Sequence, residues 1–288
     1  MAADPLWGNV VLAMHMNSLV DEKGKIITAG GNAAISAAQS KFDGYSCFFD
    51  GTGDYLSPPN HSDFTFGTGE FCIEAHVYPT SVASGACTIF GVGVNGATFI
   101  SVKLDANRKL VLRYNGNDVY TSSNAVALNA WSHIALARVV NVFTFYVDGT
   151  ASTNTYTNAG LNVTGTIAAI GAEPAYKDAT TISKFTGYID ELKVTKGAGR
   201  YTTNFTAPTS QFLEAGQISG SVLNAAGAAI AGAAIRVYLD SDGSLLRTAV
   251  TDGSGNFTVN CNTTNYHDVV CDFGTSENKQ IWSRMTPG

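Results

Sequence analysis

Two-residue turn pairs punctuate this chain at short intervals: Asn95-Gly96, Asn115-Gly116 and Asp148-Gly149 each interrupt a run of alternating apolar and polar residues. Such pairs supply the positive backbone angles that tight hairpins demand, so the runs on either side of them are expected to pair as antiparallel strands. Helical periodicity is almost absent. The exception, the Ala-rich stretch from Asn32 to Lys41, reads equally as a short strand and loop. Apolar residues make up 45% of the 288-residue chain and charged residues only 14%, which excludes a disordered chain and leaves enough apolar surface for two cores of ordinary size. An all-β molecule is expected.

Two strand-like segments end in acid-glycine corners: Phe49-Asp-Gly-Thr-Gly-Asp-Tyr-Leu56 and Gly187-Tyr-Ile-Asp-Glu-Leu-Lys-Val194. In the second, strict alternation puts Tyr188, Asp190, Leu192 and Val194 on one face and Ile189, Glu191, Lys193 and Thr195 on the other. A carboxylate in that apolar row needs backbone amides, a basic side chain or a cation as partner, because an isolated buried charge is too costly. Asp190 is therefore read as an ionised corner residue held by amides, those of the loop after Phe49 being the first candidates. Trp131, at the head of the strand Trp131–Arg138, is expected to fill the space between two sheets.

These segments, with the hairpin Phe143–Gly149 and the tail GYIDELKVTKGAGRYTTNFTAPTSQF, resemble a laminin-G-like, concanavalin-like jelly roll over roughly residues 8 to 213. The Arg-Tyr, Asn-Phe-Thr, Pro form of that tail is similar to domains of bacteriophage structural proteins. The pattern breaks at Ala207-Pro208-Thr209-Ser210 and resumes after Gly216. The remainder resembles a carboxypeptidase-regulatory-like, transthyretin-like sandwich, through its Ile218–Val222 strand, the Ala234–Asp240 strand and the Thr251-Asp-Gly-Ser-Gly-Asn-Phe257 turn. Domains 1–213 and 214–288 are expected, the second with Ile235, Val237 and Leu239 alternating against Arg236, Tyr238 and Asp240.

The net charge of -6 comes without any basic cluster, which argues against nucleic acid as a partner. No stretch approaches the ~20 apolar residues of a membrane span, and the first residues lack the basic and apolar regions of a secretory signal. Five cysteines with no C-x-x-C pair fit reduced thiols. Cys261 and Cys271 have the spacing to close a hairpin disulfide, but two neutral thiols on adjacent strands are the preferred reading.

Concanavalin-like folds also host glucanases whose active strand reads Glu-x-Asp-x-x-Glu, with carboxyls ~5 Å apart for retention. Here Tyr188-Ile189-Asp190-Glu191 is the nearest approach, and strict alternation sends its two acids to opposite faces. Glu70 and Glu74 share a face of a strand read as structural. The five histidines show no zinc spacing, and no nucleophile elbow or phosphate loop is present. A non-enzymatic protein is expected.

The resemblance implies calcium as one alternative, with Asp50, Asp54 and Asp190 as its ligands, although amide-bonded corner carboxylates are preferred and no cofactor is expected. A glycan platform needs aromatics ringed with amides. One such cluster is Tyr114, Asn115, Asn117 and Tyr120; another is Tyr146, Asp148, Asn154 and Tyr156, with cross-strand pairing as the competing explanation. The phage-like tails, missing export signal and absent catalysis point together to a virion protein made in the host cytoplasm. It would be a decoration, fibre or tail-associated subunit, homo-oligomeric on the particle, contacting other capsid or tail proteins and binding host or environmental glycans. A bacterial surface or secreted carbohydrate-binding module is the alternative, and a polysaccharide depolymerase the third class.

Overall fold

The computed structural model describes residues 4–82, 87–212, 217–224, 226–239, 245–260, 267–272 and 279–285. The chain divides into two compact units. One is Gly8–Phe212; the other comprises the residues after Phe212 together with the first few residues of the chain.

The larger unit is a sandwich of two antiparallel sheets. One sheet has the order Thr150–Ala151, Val142–Val147, Ser132–Val139, Phe71–Pro79, Thr186–Lys196, Ser46–Asp50, Ala34–Ser36, with Tyr156–Thr157 added on Val142–Val147. The facing sheet runs Asn117–Ala125, Lys109–Tyr114, Ala97–Leu104, Cys87–Val94, Ile167–Ile170, Tyr55–Ser57, Thr28–Gly30. Between them lies one core, in which Phe49, Phe64, Phe71, Phe90, Phe143, Phe145 and Phe185 are wholly buried. The Ala-rich stretch resolves as the short strand Ala34–Ser36 and a loop. Cys47, Cys72 and Cys87 are free buried thiols, and burial pushes the Cys47 pKa up to about 12.

Strand Thr186–Lys196 changes partners halfway along one edge. Its first residues, 186–189, pair with Ser46–Asp50, and residues 192–195 pair with Val10–Met14. At the change the register against Phe71–Pro79 shifts between Asp190 and Lys193, and Glu191 takes a φ of 50°. This bulge overturns the expectation of strict alternation. Ile189 faces the core before it and Leu192 and Val194 after it, so the phase slips by one residue. Asp190 is therefore outside the core row. It lies, still fully buried, on the outer face of the sheet, where Glu191 is buried too.

Trp131 also departs from expectation. In the strand that follows it, Ile134 and Leu136 enter the core, while Ala135 and Ala137 pack on the outer face with Cys72 and Tyr146. Trp131 has the outer parity and is only half-buried, its ring 5.5 Å from that of Tyr78.

The free edge of strand Asn117–Ala125 is closed by side chains rather than by another strand. Ser152 Oγ accepts from Ser123 N at 2.8 Å, and Asn154 Nδ2 donates to Thr121 O at 2.9 Å. Ser123 Oγ accepts from Thr153 N, and Asn124 Nδ2 donates to Thr150 O, so the stitch runs in both directions.

The second unit pairs Gln217–Ser221 with Asn256–Asn260 and, separately, orders Leu245–Val250, Ala234–Leu239, His267–Asp272, Lys279–Met285. Ile218, Val222, Ile235, Val237, Phe257, Val259 and Val269 form its core. Ile235 and Val237 are buried while Arg236 and Tyr238 are half-exposed, as the alternation of that strand predicts; the side chains of Leu239 and Asp240 lie outside the described residues. Gly255 sits at φ 75° where a Cβ would come within 2.7 Å of Val222 O, so the turn before Phe257 requires glycine. Cys271 is buried, and Cys261, its candidate disulfide partner, lies outside the described residues.

Two substitutions test this arrangement. Phe143→Ala, in the core, should lower stability by about 3–5 kcal/mol, whereas Trp131→Ala on the outer face should cost clearly less, as read by urea unfolding. The two-residue turn Val140–Asn141 has φ of 44° and 67°, and its valine is 74% exposed, so a β-branched residue occupies a left-handed position with no packing in return. Val140→Asn should raise stability by about 1 kcal/mol; a lower melting temperature would show that the turn is not strained.

Candidate functional site

The densest chemistry lies on the outer face of the first sheet, beneath the segment that follows it, residues 199–212. Glu74 is the hub. It sits mid-strand, 3% exposed, with Lys193 Nζ at 3.2 Å, Arg200 Nε at 3.3 Å and His133 Nε2 at 3.3 Å, and it accepts from Tyr201 Oη at 2.6 Å. Burial alone would raise its pKa, but Lys193, His133 and Arg200 together pull it below the carboxylate range. His76 is directly opposite His133, ring centroids 5.0 Å apart, and burial followed by the charges of His133 and Lys41 pushes its pKa down to about 3. Tyr201 stacks on Phe205 at 3.7 Å, and Phe205 meets His133 edge-on, so the segment covers the polar row with aromatic rings.

The bulge brings two more acids to the same face. Asp190 Oδ2 accepts from Lys41 N at 2.9 Å and Phe42 N at 3.2 Å. It is thus held by backbone amides, but of the loop before Ser46 rather than the loop after Phe49. Burial, reinforced by Glu191, pushes its pKa up to about 7, so Asp190 is poised between its two forms at neutral pH rather than firmly ionised. Glu191 binds His15 Nδ1 at 2.7 Å through one oxygen and accepts from Phe212 N at 2.7 Å through the other. The two carboxyls that strict alternation would send to opposite faces therefore share one.

Glu74, His76, His133, Glu191, Lys193, Pro208, Ser210 and Phe212 line a recess of about 20 Å³. That is room for one water molecule and not for a sugar ring. Among the described residues, buried His76 Nδ1 and His133 Nδ1 on its lining lack a hydrogen-bond partner, while Glu74 Oε1 is held by its ion pairs with Lys193 and Arg200. The sequence signal for this face was present in the polar residues of the otherwise apolar strand Phe71–Pro79. What hid it was the need for burial by a segment some 130 residues later.

The three aspartates considered for calcium are not gathered together. Asp54 is fully buried, and its oxygens accept from Asn32 N and Asp50 N, both at 2.7 Å. Asp50 is exposed and accepts from Thr52 N and Asn32 Nδ2. It pairs with Thr186, four residues from Asp190 along an extended strand. Among the described residues no group of three or more His, Cys, Asp or Glu side chains is placed to hold a metal ion.

The two aromatic-amide clusters fare differently. Tyr120 is buried in the core, donates to Asn154 O at 2.6 Å and stacks toward Tyr156 at 6.5 Å, so the first cluster and the Asn154–Tyr156 part of the second meet at one edge of the sandwich. Tyr114 lies beside the 158–162 loop, its hydroxyl accepting from Asn162 N at 3.5 Å. That loop is anchored by Arg138, which is fully buried and donates to Leu161 O at 2.8 Å. Along these segments Asn115, Asn117, Asn154 and Asn162 are exposed and Tyr114 and Tyr156 half-buried, the Asn154 amide being held by Thr121 O and Ser152 Oγ. Tyr146 does not belong to it. Neighbouring Phe145 faces the core, so Tyr146 points to the outer face, where it is 1% exposed and donates to Tyr201 O at 3.0 Å. Asp148 is a turn residue at φ 49° whose Oδ1 accepts from His133 N.

Residues 50–199 match the family model of laminin-G-like domains in the concanavalin A-like lectin/glucanases superfamily. The chain belongs to that superfamily. Its sandwich is similar in structure to domain 4 of an extracellular arabinanase from Geobacillus stearothermophilus in complex with arabinotriose. The identity is 19% and the TM-score 0.50, over 66% of this chain and 94% of that one. Trypanosoma rangeli sialidase in complex with 2,3-difluorosialic acid matches at 18% identity and TM-score 0.50, over 67% of this chain and 32% of the sialidase, so the chain spans about a third of that enzyme. A botulinum neurotoxin serotype D/C binding domain matches over 96% of this chain and 74% of its own, at 11% identity and TM-score 0.50. At such identities the likeness within the superfamily is one of fold. No curated protein matches the sequence.

Glu74→Gln should destabilise the sandwich by about 3–5 kcal/mol near neutral pH, because it removes the buried carboxylate that Lys193, Arg200 and His133 approach. Since folding lowers the Glu74 pKa from its ordinary value of 4.5, the charge-dependent part of this difference is present above that pH and shrinks as the pH falls below it. Chemical denaturation of both forms across the acid range measures it. A gap that widens in acid would contradict the role of the ionised carboxylate.

Proposed function

We propose that this chain is a non-enzymatic glycan-binding protein of a bacteriophage particle, a decoration, fibre or tail-associated subunit. Its jelly roll would carry the adhesive surface, and its second unit would join it to other virion proteins. The observation that carries the binding reading is the edge surface in a member of a lectin superfamily: half-buried Tyr114 and Tyr156 beside exposed Asn115, Asn117 and Asn162, aromatic and amide groups of the kind that meet a sugar's apolar ring face and its hydroxyls. Repeated copies on a particle would raise a weak affinity through avidity.

Support for a non-enzymatic role comes from where the acids are. Glycoside hydrolysis needs two carboxyls flanking an accessible scissile bond. Glu74, Asp190 and Glu191 are at most 5% exposed, and the recess that Glu74 and Glu191 line has room for a single water. The virion assignment rests on the Arg200-Tyr201, Asn204-Phe205-Thr206, Pro208 tail and on the resemblance of the second unit to transthyretin-like domains of phage proteins. The alternative, a bacterial surface or secreted carbohydrate-binding module, draws on the same edge surface and differs in where the protein is found.

Two experiments test the reading. Mass spectrometry of purified particles should detect the chain as a stoichiometric component, and its absence from intact virions would remove the phage assignment. On a glycan array the folded protein should bind in multivalent form, with Asn117→Ala and Tyr156→Ala each weakening binding by about ten-fold, or ~1.4 kcal/mol, while incubation with host polysaccharide should release no reducing ends. Binding that is unchanged in both variants would move the site elsewhere.

A further inference from the structure

We infer that the Asp190–Glu191 bulge is a proton-dependent latch: it fastens the segment ending at Phe212 to the jelly roll while the acid pair keeps a proton, and releases it as the pH rises. Three independent features converge on it. Glu191 is a non-glycine residue at φ 50° in mid-strand, a strained conformation that re-aims its side chain onto the outer face. Its two oxygens are committed to two different elements, His15 at the end of the first strand and the Phe212 amide at the end of the sandwich unit. The Phe212 ring in turn stacks on His15 at 4.1 Å and lies under the Lys193 ammonium at 5.4 Å. Breaking the carboxylate contact therefore also loosens the ring.

The charge inventory gives the direction. Glu191 and Asp190 face Glu74 and His76 from the Phe71–Pro79 strand and His133 from the strand beside it. Lys193 approaches along their own strand and Arg200 from the covering segment, with Tyr201 hydrogen-bonded to Glu74. Lys41 and Asp43 belong to the loop that binds Asp190. Among the described residues, three buried carboxyls, those of Glu74, Asp190 and Glu191, thus crowd one face, and their burial and mutual repulsion disfavour ionising all three at once.

Burial raises the pKa of both acids, Asp190 to about 7 and Glu191 well above its ordinary value of 4.5. A raised folded-state pKa favours folding fully only below the unfolded value and works against it as the pH climbs through the folded one, so the latch weakens above neutrality. Release involves little of the core, because the bonds lost are those of the covering segment.

Hydrogen exchange of the full-length protein, followed peptide by peptide by mass spectrometry and corrected for the intrinsic pH dependence of exchange, tests this. Between about pH 6 and about pH 9 the peptide covering 205–212 should lose protection by at least ten-fold, while core strands such as Phe143–Val147 keep theirs. Glu191→Gln keeps an acceptor for the Phe212 amide without a charge and should hold the segment closed throughout. If that variant fails to fold, Asp190→Asn, which removes the neighbouring charge, should likewise flatten the pH dependence. Equal protection of the wild-type segment at both ends of the range, or an undiminished pH-dependent loss in the folded variant, would overturn the proposal.

Discussion

A carboxylate in the middle of a sheet sets the terms for much of this molecule. Glu74 stands on a central strand of the first sheet and cannot be left dry and unpaired, since the cost of an isolated buried charge is far larger than any single packing gain. Its partners come from three directions: Lys193 from the adjacent strand, His133 from the strand on the other side, and Arg200 and Tyr201 from the segment that crosses over the face. That segment is thus tied down by charge and hydroxyl as well as by the stacking of Tyr201 and Phe205. The outer face of an ordinary antiparallel sheet is wet; here it becomes a second buried layer.

The same layer explains why the bulge falls where it does. Strand Thr186–Lys196 must serve Ser46–Asp50 along one half and Val10–Met14 along the other, and the gap between those two partners opens beside Asp190 and Glu191. One extra residue shifts the phase so that Ile189, Leu192 and Val194 all reach the core. The acids that result on the outer face are met by the ends of the flanking segments, the Lys41–Phe42 amides and His15.

Much of this was legible in the sequence. Asn-Gly and Asp-Gly pairs located the hairpins, the Phe49–Leu56 and Gly187–Val194 motifs indicated the superfamily, and the alternation of Ile235 and Val237 marked a strand of the second unit. The phase slip was not legible, because it uses a glutamate at a left-handed position where a glycine would have advertised it. Trp131 misled for a related reason. Bulky aromatics normally signal the core side, but in this sheet the covered outer face also accepts them, so parity could not be read from size. At the candidate glycan surface the sequence grouped residues by neighbourhood along the chain, whereas the fold joins Tyr120 to Asn154 and Tyr156 and sends Tyr146 through to the other side of its strand.

The side-chain stitch along strand Asn117–Ala125 has a consequence of its own. A sheet edge with bare amides and carbonyls is a template for another copy of the same strand, and the danger grows with local concentration. Ser152 and Asn154 occupy backbone groups of that edge with hydroxyl and amide, which satisfies them without offering a new strand on which a further one could grow. Many copies of this sandwich could therefore stand shoulder to shoulder on one assembly without their sheets fusing along this edge into a continuous ribbon.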